Sequence, residues 1–350
     1  MFFNSKKISF VFVVVLIILF LIFPEVSKKG VTLGLMTVSN IIIPSLFPFL
    51  VCILMIMKSN VSIKNNVING ILYKLFGQNF DMFFAFVLSL VGGYPVGSKL
   101  VNELYNKKTI DSKSANIMLM YCVNAGPAFI LSTVTNKFNK SIAIVLLASH
   151  ISATVIIALF LSKNLKKNKC KLNVIKKTTK SFSEIFVESV ADACSSILNI
   201  SAFIIFFSSV NAYADCFAEK MPIIKYISLL TEVTSGVLKC NNVFLVSFLL
   251  GFSGFSIWCQ SFSLSRSINI NYFKFILGRL LHGCMSVMIT KILIEILNIK
   301  ISVFNNNQNF QKQLYYSDLV LFISMIVMFI ILMTYIYSKN NSGKLLRDVI

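Results

Sequence analysis

Apolar runs separated by short polar stretches dominate the chain from end to end. Seven of them are clear candidates for spans, at residues 8–23, 31–57, 115–134, 141–161, 187–213, 273–297 and 319–337. Each approaches or exceeds the ~20 residues that a helix needs to cross the hydrocarbon core of a bilayer. Two further runs, 83–104 and 243–264, carry Gly, Ser or Pro inside them. Transmembrane strands would alternate apolar and polar positions rather than run, and a soluble core could not bury so much continuous apolar sequence. The pattern predicts an all-α polytopic membrane protein.

The interrupted runs are the informative ones. "LSLVGGYPVGSKLVNEL" begins as membrane-grade sequence, breaks at Gly92-Gly93-Tyr94-Pro95 and leaves through Ser98, Lys99, Asn102 and Glu103. Backbone freed by Gly and Pro is intolerable against lipid, yet it is tolerated where it lines a cavity and offers N–H groups to a ligand. The N-terminus of a half-helix adds partial positive charge at that point. Re-entrant or broken helices are therefore expected at Gly93 and, in the second interrupted run, at Gly254.

Charge orients the chain. The stretch "SKNLKKNKCKLNVIKKTTKSF" holds eight lysines and no acid, which places it in the cytoplasm by the positive-inside rule. The lysine-bearing loops of the first half agree with that topology, whereas after Val187 the basic residues are spread over both sides. The expected organisation is an N-terminal anchor helix (1–30), a first membrane repeat (31–162), a cytoplasmic lysine-rich linker (163–186), a second membrane repeat (187–300) and a C-terminal loop, helix and tail (301–350). Lys6 and Lys7 give the first helix a signal-like start, but only Phe23-Pro24-Glu25 follows it, so it reads as an uncleaved anchor. The two repeats align weakly, with Gly93 against Gly254, Tyr94 against Phe255, Pro95 against Ser256 and Lys99 against Gln260. Shortly after each, "MYCVNAGPAF" is matched by "RLLHGCMS". With an odd number of spans and one re-entrant hairpin per half, the halves lie inverted, and broken helices at matching places in inverted repeats mark the site of a secondary transporter.

Composition removes other classes. The net charge of +20 goes with 56% apolar residues and a mean hydropathy of +0.80. The lysines sit between apolar runs, in a chain whose Ile, Asn, Lys and Phe together match an AT-rich genome, and no aromatic-basic nucleic-acid motif is present. The bilayer, not nucleic acid, is the expected partner, and a homo-oligomer is compatible with this reading. None of the eight cysteines forms a C-x-x-C pair, and His150 and His282 are the only histidines, so neither metal nor cofactor is expected. No G-x-S-x-G, H-E-x-x-H or Walker motif appears, so no enzyme is expected.

A few polar residues stand inside apolar sequence, where a charge costs ~3 kcal/mol or more and is usually functional. Lys99, two turns past the first break, can present a cation to an anionic substrate or snorkel to the interface, with Glu103 one turn on as its partner. Arg279 and His282 share a helix face at i, i+3 and suit a carboxylate. Asn124, beside Gly126-Pro127, offers a donor and an acceptor at a second break. Glu232, with Thr234 close by, can bind a coupling cation, a proton or substrate, or cap a surface helix. Ser253, Gly254 and Gln260 surround the break of the second half. Asp192 reads as an N-terminal dipole partner of its helix. The substrate-binding candidates are thus Gly92, Gly93, Tyr94, Pro95, Ser98, Lys99, Asn102, Asn124, Gly126, Glu232, Thr234, Ser253, Gly254, Gln260, Arg279 and His282.

At "GGYPVGSKLV", "NAGPAFILSTV", "LLTEVTSGV", "GFSGFSIWCQSFSL" and "GRLLHG" the chain resembles the YlbJ/SpoVV family of sporulation integral membrane proteins, of the nucleoside-recognition Gate group. The similarity runs over residues 31–297. Many relatives carry a second glycine and an alanine-histidine pair where this chain has Ser253 and Ser256-Ile257-Trp258-Cys259, which implies a differently shaped re-entrant segment. The resemblance implies a fold similar to the Gate domains of concentrative nucleoside transporters, with inverted repeats and re-entrant hairpins. It further implies a protein of the cell membrane or outer forespore membrane of an endospore former that moves dipicolinic acid from mother cell toward forespore. Two alternatives stand beside this: a nucleoside carrier coupled to sodium or protons, whose site would favour carboxylates and amides, and a non-transporting scaffold of spore assembly.

Overall fold

The computed structural model of the chain describes residues 5–59, 80–135, 137–162, 180–218, 222–299 and 301. Residues 163–179 of the lysine-rich stretch and the expected span at 319–337 lie outside them. Among the described residues the chain is all-helical, without a strand, and six helical segments are long and apolar enough to cross a membrane.

Helix α1 (Ser5–Ile22) ends where Pro24 opens α2 (Pro24–Thr37), which runs through a π-helical turn (Val38–Ile42) into α3 (Ile43–Lys58). The expected boundary after residue 30 therefore falls inside α2, because proline is welcome in a first helical turn and stops the helix before it. The π turn has a local cause. Pro44 and Pro48 cannot donate to the preceding turn, and a wider turn absorbs the mismatch. Ser45 Oγ donates to the Ile41 carbonyl at 2.5 Å in the same turn.

Next come α4 (Phe80–Gly92) and α5 (Tyr94–Asn106), which pack side by side around Gly93. Gly93 has φ of 85°, a conformation that other residues rarely adopt. Then α6 (Ser112–Cys122) and α7 (Pro127–Thr135) form one membrane-length segment interrupted at 123–126, followed by the long α8 (Lys140–Ser162). The second half opens on the longest helix, α9 (Phe182–Ala218). A side-by-side pair follows, α10 (Pro222–Thr231) and α11 (Val233–Lys239), joined at Glu232. An interrupted segment comes next, α12 (Val243–Phe252) and α13 (Gly254–Leu264), broken at Ser253 and Gly254, with φ of 69° and 80°. Long α14 (Tyr272–Ile296) completes the described chain.

Both interrupted runs are broken where the sequence predicts, but they are different kinds of break. The run at 83–104 folds back on itself, whereas Val243–Leu264 continues as a broken span. In element order and packing, each half reads long helix, folded-back pair, interrupted segment, long helix. The counterpart of Gly93 is thus Glu232, and the counterpart of Asn124–Gly126 is Ser253–Gly254. The gapless match of Gly93 with Gly254 is one element out of register: short apolar matches score similarly wherever a Gly-aromatic pair follows a Leu-rich run.

The two longest segments lie against each other. Gly30 and Gly34 of α2 meet α9, where a Cβ on Gly30 would stand 2.5 Å from Ser209 Cα and one on Gly34 2.8 Å from Ile205 Cα. Small residues four apart let helix backbones approach closely in lipid, where packing rather than hydrophobicity drives association. Tyr213 adds a hydrogen bond to the Phe23 carbonyl at 2.8 Å. Gly30→Leu is expected to separate α2 from α9 and lower the detergent melting temperature of the purified protein by several degrees. Leu33→Ala, on the exposed face of the same helix, is expected to leave it unchanged.

Candidate substrate site

The breaks of each half meet backbone against backbone. A Cβ on Gly126 would lie 3.2 Å from the Val91 carbonyl oxygen and 3.3 Å from Gly93 Cα, so the folded-back pair touches the interrupted segment there. In the second half a Cβ on Gly254 would lie 3.0 Å from the Leu230 oxygen and 3.3 Å from Val233 N. Between the two junctions is a cavity of about 20 Å³, room for about one water. Gly93, Tyr94 and Pro95 wall it from the start of α5, Gly126 from the start of α7, and Glu232, Val233 and Thr234 from the start of α11. Ile42 and Leu46 close it from the π-turn region, Ile200 and Ile204 from α9, and Gln260 from α13.

Three half-helix N-termini thus converge on one enclosed point. The first-turn N–H groups of a helix have no partner within it and carry the positive end of its dipole. At α11 they are already engaged: Glu232, only 1% exposed, accepts from Thr234 N at 3.0 Å and Ser235 N at 2.6 Å. Glu232 is a buried cap, not the surface cap that was one sequence reading. Gln260 is equally buried; its Nε2 donates to Ser256 Oγ at 3.1 Å while its Oε1 has no partner among the described residues. The Tyr94 hydroxyl turns away from the cavity to donate to the Leu250 carbonyl at 2.7 Å, which links the halves.

Beside the first junction lies a buried polar network. Asn124 donates to the Tyr121 carbonyl at 2.7 Å and to Ser89 Oγ at 3.3 Å, and accepts from the Thr154 hydroxyl at 2.8 Å. With its proton committed to Asn124, Thr154 accepts from His282 Nε2, 2.9 Å away. The His282 ring stands 4.4 Å from that of His150, whose own Nε2 accepts from Ala125 N at 3.0 Å. Arg279, fully buried, donates through both terminal nitrogens to the carbonyls of Val123 and Met120. These are carbonyls that the α6 break leaves without helical donors. The network holds open the gap between α6 and α7.

Of the sequence candidates, Gly93, Tyr94, Pro95, Gly126, Glu232, Thr234 and Gln260 share the cavity wall. Gly92 packs on Ile53 and Val96, and Ser253 and Gly254 form the second break. Asn124, Arg279 and His282 form the network behind the first. Ser98 is buried, its carbonyl accepting from Ser265 Oγ at 3.1 Å, and Asn102 accepts from Ser267 N at 3.3 Å; neither reaches the cavity.

Lys99 and Arg279 do not line the cavity. The Lys99 ammonium donates to α9, to the Asp192 carbonyl at 3.0 Å and Ser196 Oγ at 2.7 Å, rather than to Glu103. Asp192 lies well past the first turn of α9 and pairs with Lys58 at 2.7 Å, so it is no dipole partner. The reason is geometric: six residues of helix carry Lys99 about 9 Å along the axis from Gly93. Sequence reading missed His150, although the cost of a titratable group in an apolar run singled it out as it did Arg279. It also missed Asn211, which accepts from Thr231 Oγ1, donates to Ser235 Oγ at 3.2 Å, and so pins the α10–α11 pair to α9.

No family model matches the chain, and no solved structure matches it. Among known proteins, the chain is similar to the sporulation integral membrane protein YlbJ of Bacillus subtilis (strain 168), with 24% identity over 319 residues covering 77% of this chain and 78% of that protein.

Proposed function

We propose that the chain carries a small organic anion, dipicolinate, through a membrane of a spore-forming cell from mother cell toward forespore. The observation that supports it most is the convergence of half-helix N-termini on one enclosed cavity between the two halves, the arrangement by which broken helices hold anionic groups. The N-termini of α5 and α7 have no carboxylate cap of their own, unlike α11. The directions of the two folded-back pairs support inverted repeats similar to Gate domains. From the cavity, α5 runs toward the N-terminal part of α9, where Lys99 meets Asp192, and α11 runs toward its C-terminal part, where Lys239 meets Asp215 at 2.5 Å. Dipicolinate itself rests on the family resemblance, while the relative's name supports sporulation and an integral membrane protein. A substrate of that size requires the present cavity to open.

A specific observation favours a second reading. The polar side chains in the wall include a carboxylate and an amide, Glu232 and Gln260, with hydroxyl-bearing Thr234 and Tyr94 but no cation among the described residues, while Lys99 and Arg279 are engaged elsewhere. That is the chemistry expected for a nucleoside carrier coupled to sodium or protons.

Glu232→Gln separates the two. It keeps an oxygen for one α11 amide while removing the negative charge from the wall. In proteoliposomes, a dipicolinate carrier should show unchanged or several-fold stronger uptake, because repulsion is relieved. A nucleoside carrier should lose uridine uptake about tenfold or more, as for loss of a charged hydrogen bond of ~1.5–3 kcal/mol. Uptake of neither compound by the parent protein would remove both readings and leave the scaffold.

A further inference from the structure

One stripe of α9 threads the whole site. Asp192, Ser196, Ile200, Ile204, Asn211 and Asp215 follow one another at intervals of four, four, four, seven and four residues, so they share a helix face. Ile200 and Ile204 wall the cavity, and the two aspartates lie on either side of it, about 35 Å apart along the axis. That separation is close to the ~30 Å hydrocarbon thickness of a bilayer. Each aspartate is held by lysine. Asp192 pairs with Lys58 of α3 at 2.7 Å, and its carbonyl takes Lys99 of α5. Asp215 pairs with Lys239 of α11 at 2.5 Å, and beside it Lys137 donates to the Leu238 carbonyl at 2.6 Å. Lys99 and Lys239 stand in the same place in their folded-back pairs, about two turns past the break.

We propose that the substrate path runs along this stripe of α9 and that the two lysine–aspartate clusters are its latches, one at each mouth, released in turn. The proposal rests on the reading of the chain as a carrier and is indifferent to which substrate it takes. Each folded-back pair meets the cavity with its break and a mouth with its lysine, so freeing one lysine lets that arm swing from α9 and opens the cavity to one side only. An ion pair suits this role. These pairs are partly exposed, with 18% and 47% of the side chains accessible for Lys58 and Asp192 and 39% and 46% for Lys239 and Asp215. Such pairs are weak enough to break in each cycle. At the first mouth Lys58 and Lys99 also offer a carboxylate substrate an ammonium in exchange for Asp192.

The test uses the full chain in proteoliposomes with Ile204→Cys as a reporter in the cavity wall. A charged, membrane-impermeant maleimide is applied from either side, and modification at position 204 is read by peptide mass spectrometry. The reporter chain should label slowly from both sides. Lys239→Gln should raise labelling at least tenfold from one side alone, and Lys58→Gln with Lys99→Gln should do so from the opposite side alone. Exchanging the charges, Lys239→Asp with Asp215→Lys, should restore slow labelling and also guards against general misfolding. Faster labelling from both sides in either variant, no acceleration in either, or failure of the exchanged pair to restore protection at matched abundance would overturn the latches. Labelling needs no substrate, so one-sided opening in a chain that transports neither dipicolinate nor uridine would uphold the latches while refuting the substrate assignment.

Discussion

Arg279→Leu will cost the protein its fold before it costs any substrate its binding site. The guanidinium is fully buried and is spent on the Met120 and Val123 carbonyls at the end of α6. It is a cation at the negative end of a helix dipole. Removing it strands both oxygens in a dry interior, at ~1–3 kcal/mol each. A loss of that size is a large part of ordinary domain stability. Folded, monodisperse protein in detergent should fall several-fold, and what remains should melt at lower temperature. Arg279→Lys should recover part of the loss, since one ammonium cannot span two carbonyls as the planar guanidinium does. Normal abundance and melting with selective loss of transport would instead return Arg279 to the substrate.

Gly97→Ala should be nearly as damaging for a steric reason. A Cβ at this position of α5 would fall on the Cys122 carbonyl, and the atom in its way is backbone that cannot rotate aside. Cys122 is the last residue of α6, so the added methyl pushes the folded-back pair off the first break and pulls Gly93 from Gly126. Overpacking typically costs 1–3 kcal/mol where side chains can adjust, and here the obstruction is main chain. The expected result is a several-fold drop in folded protein, with transport by the surviving fraction reduced at least tenfold. Ser98→Ala, one residue along in the same helix, removes a buried hydroxyl that has no partner among the described residues and should be close to silent. Equal abundance and transport for both variants would mean that α5 and α6 are not held in this contact.

The order of residues alone makes this a helical membrane protein with breaks at Gly93 and Gly254, because apolar runs and glycines at positive φ follow from local chemistry. Wherever backbone must turn inside an apolar run, the residues that permit the turn are visible in the order of amino acids. It also singled out residues that meet at the cavity, Gly93, Pro95 and Gly126 because each sits at a break and Glu232 because it is an acid in apolar sequence. What it left open was which partner each buried polar group would find. Lys99 and Arg279 are equally conspicuous in sequence, yet one reaches α9 and the other the end of α6. Those partners lie 97 and 156 residues away in the chain. A side chain's reach is set by helix pitch and packing direction, which no local pattern encodes. The correspondence of the halves was decided in the same way. Folding back and running on look alike as an apolar run broken by glycine, and the tertiary packing of α4 on α5 and of α10 on α11 tells them apart.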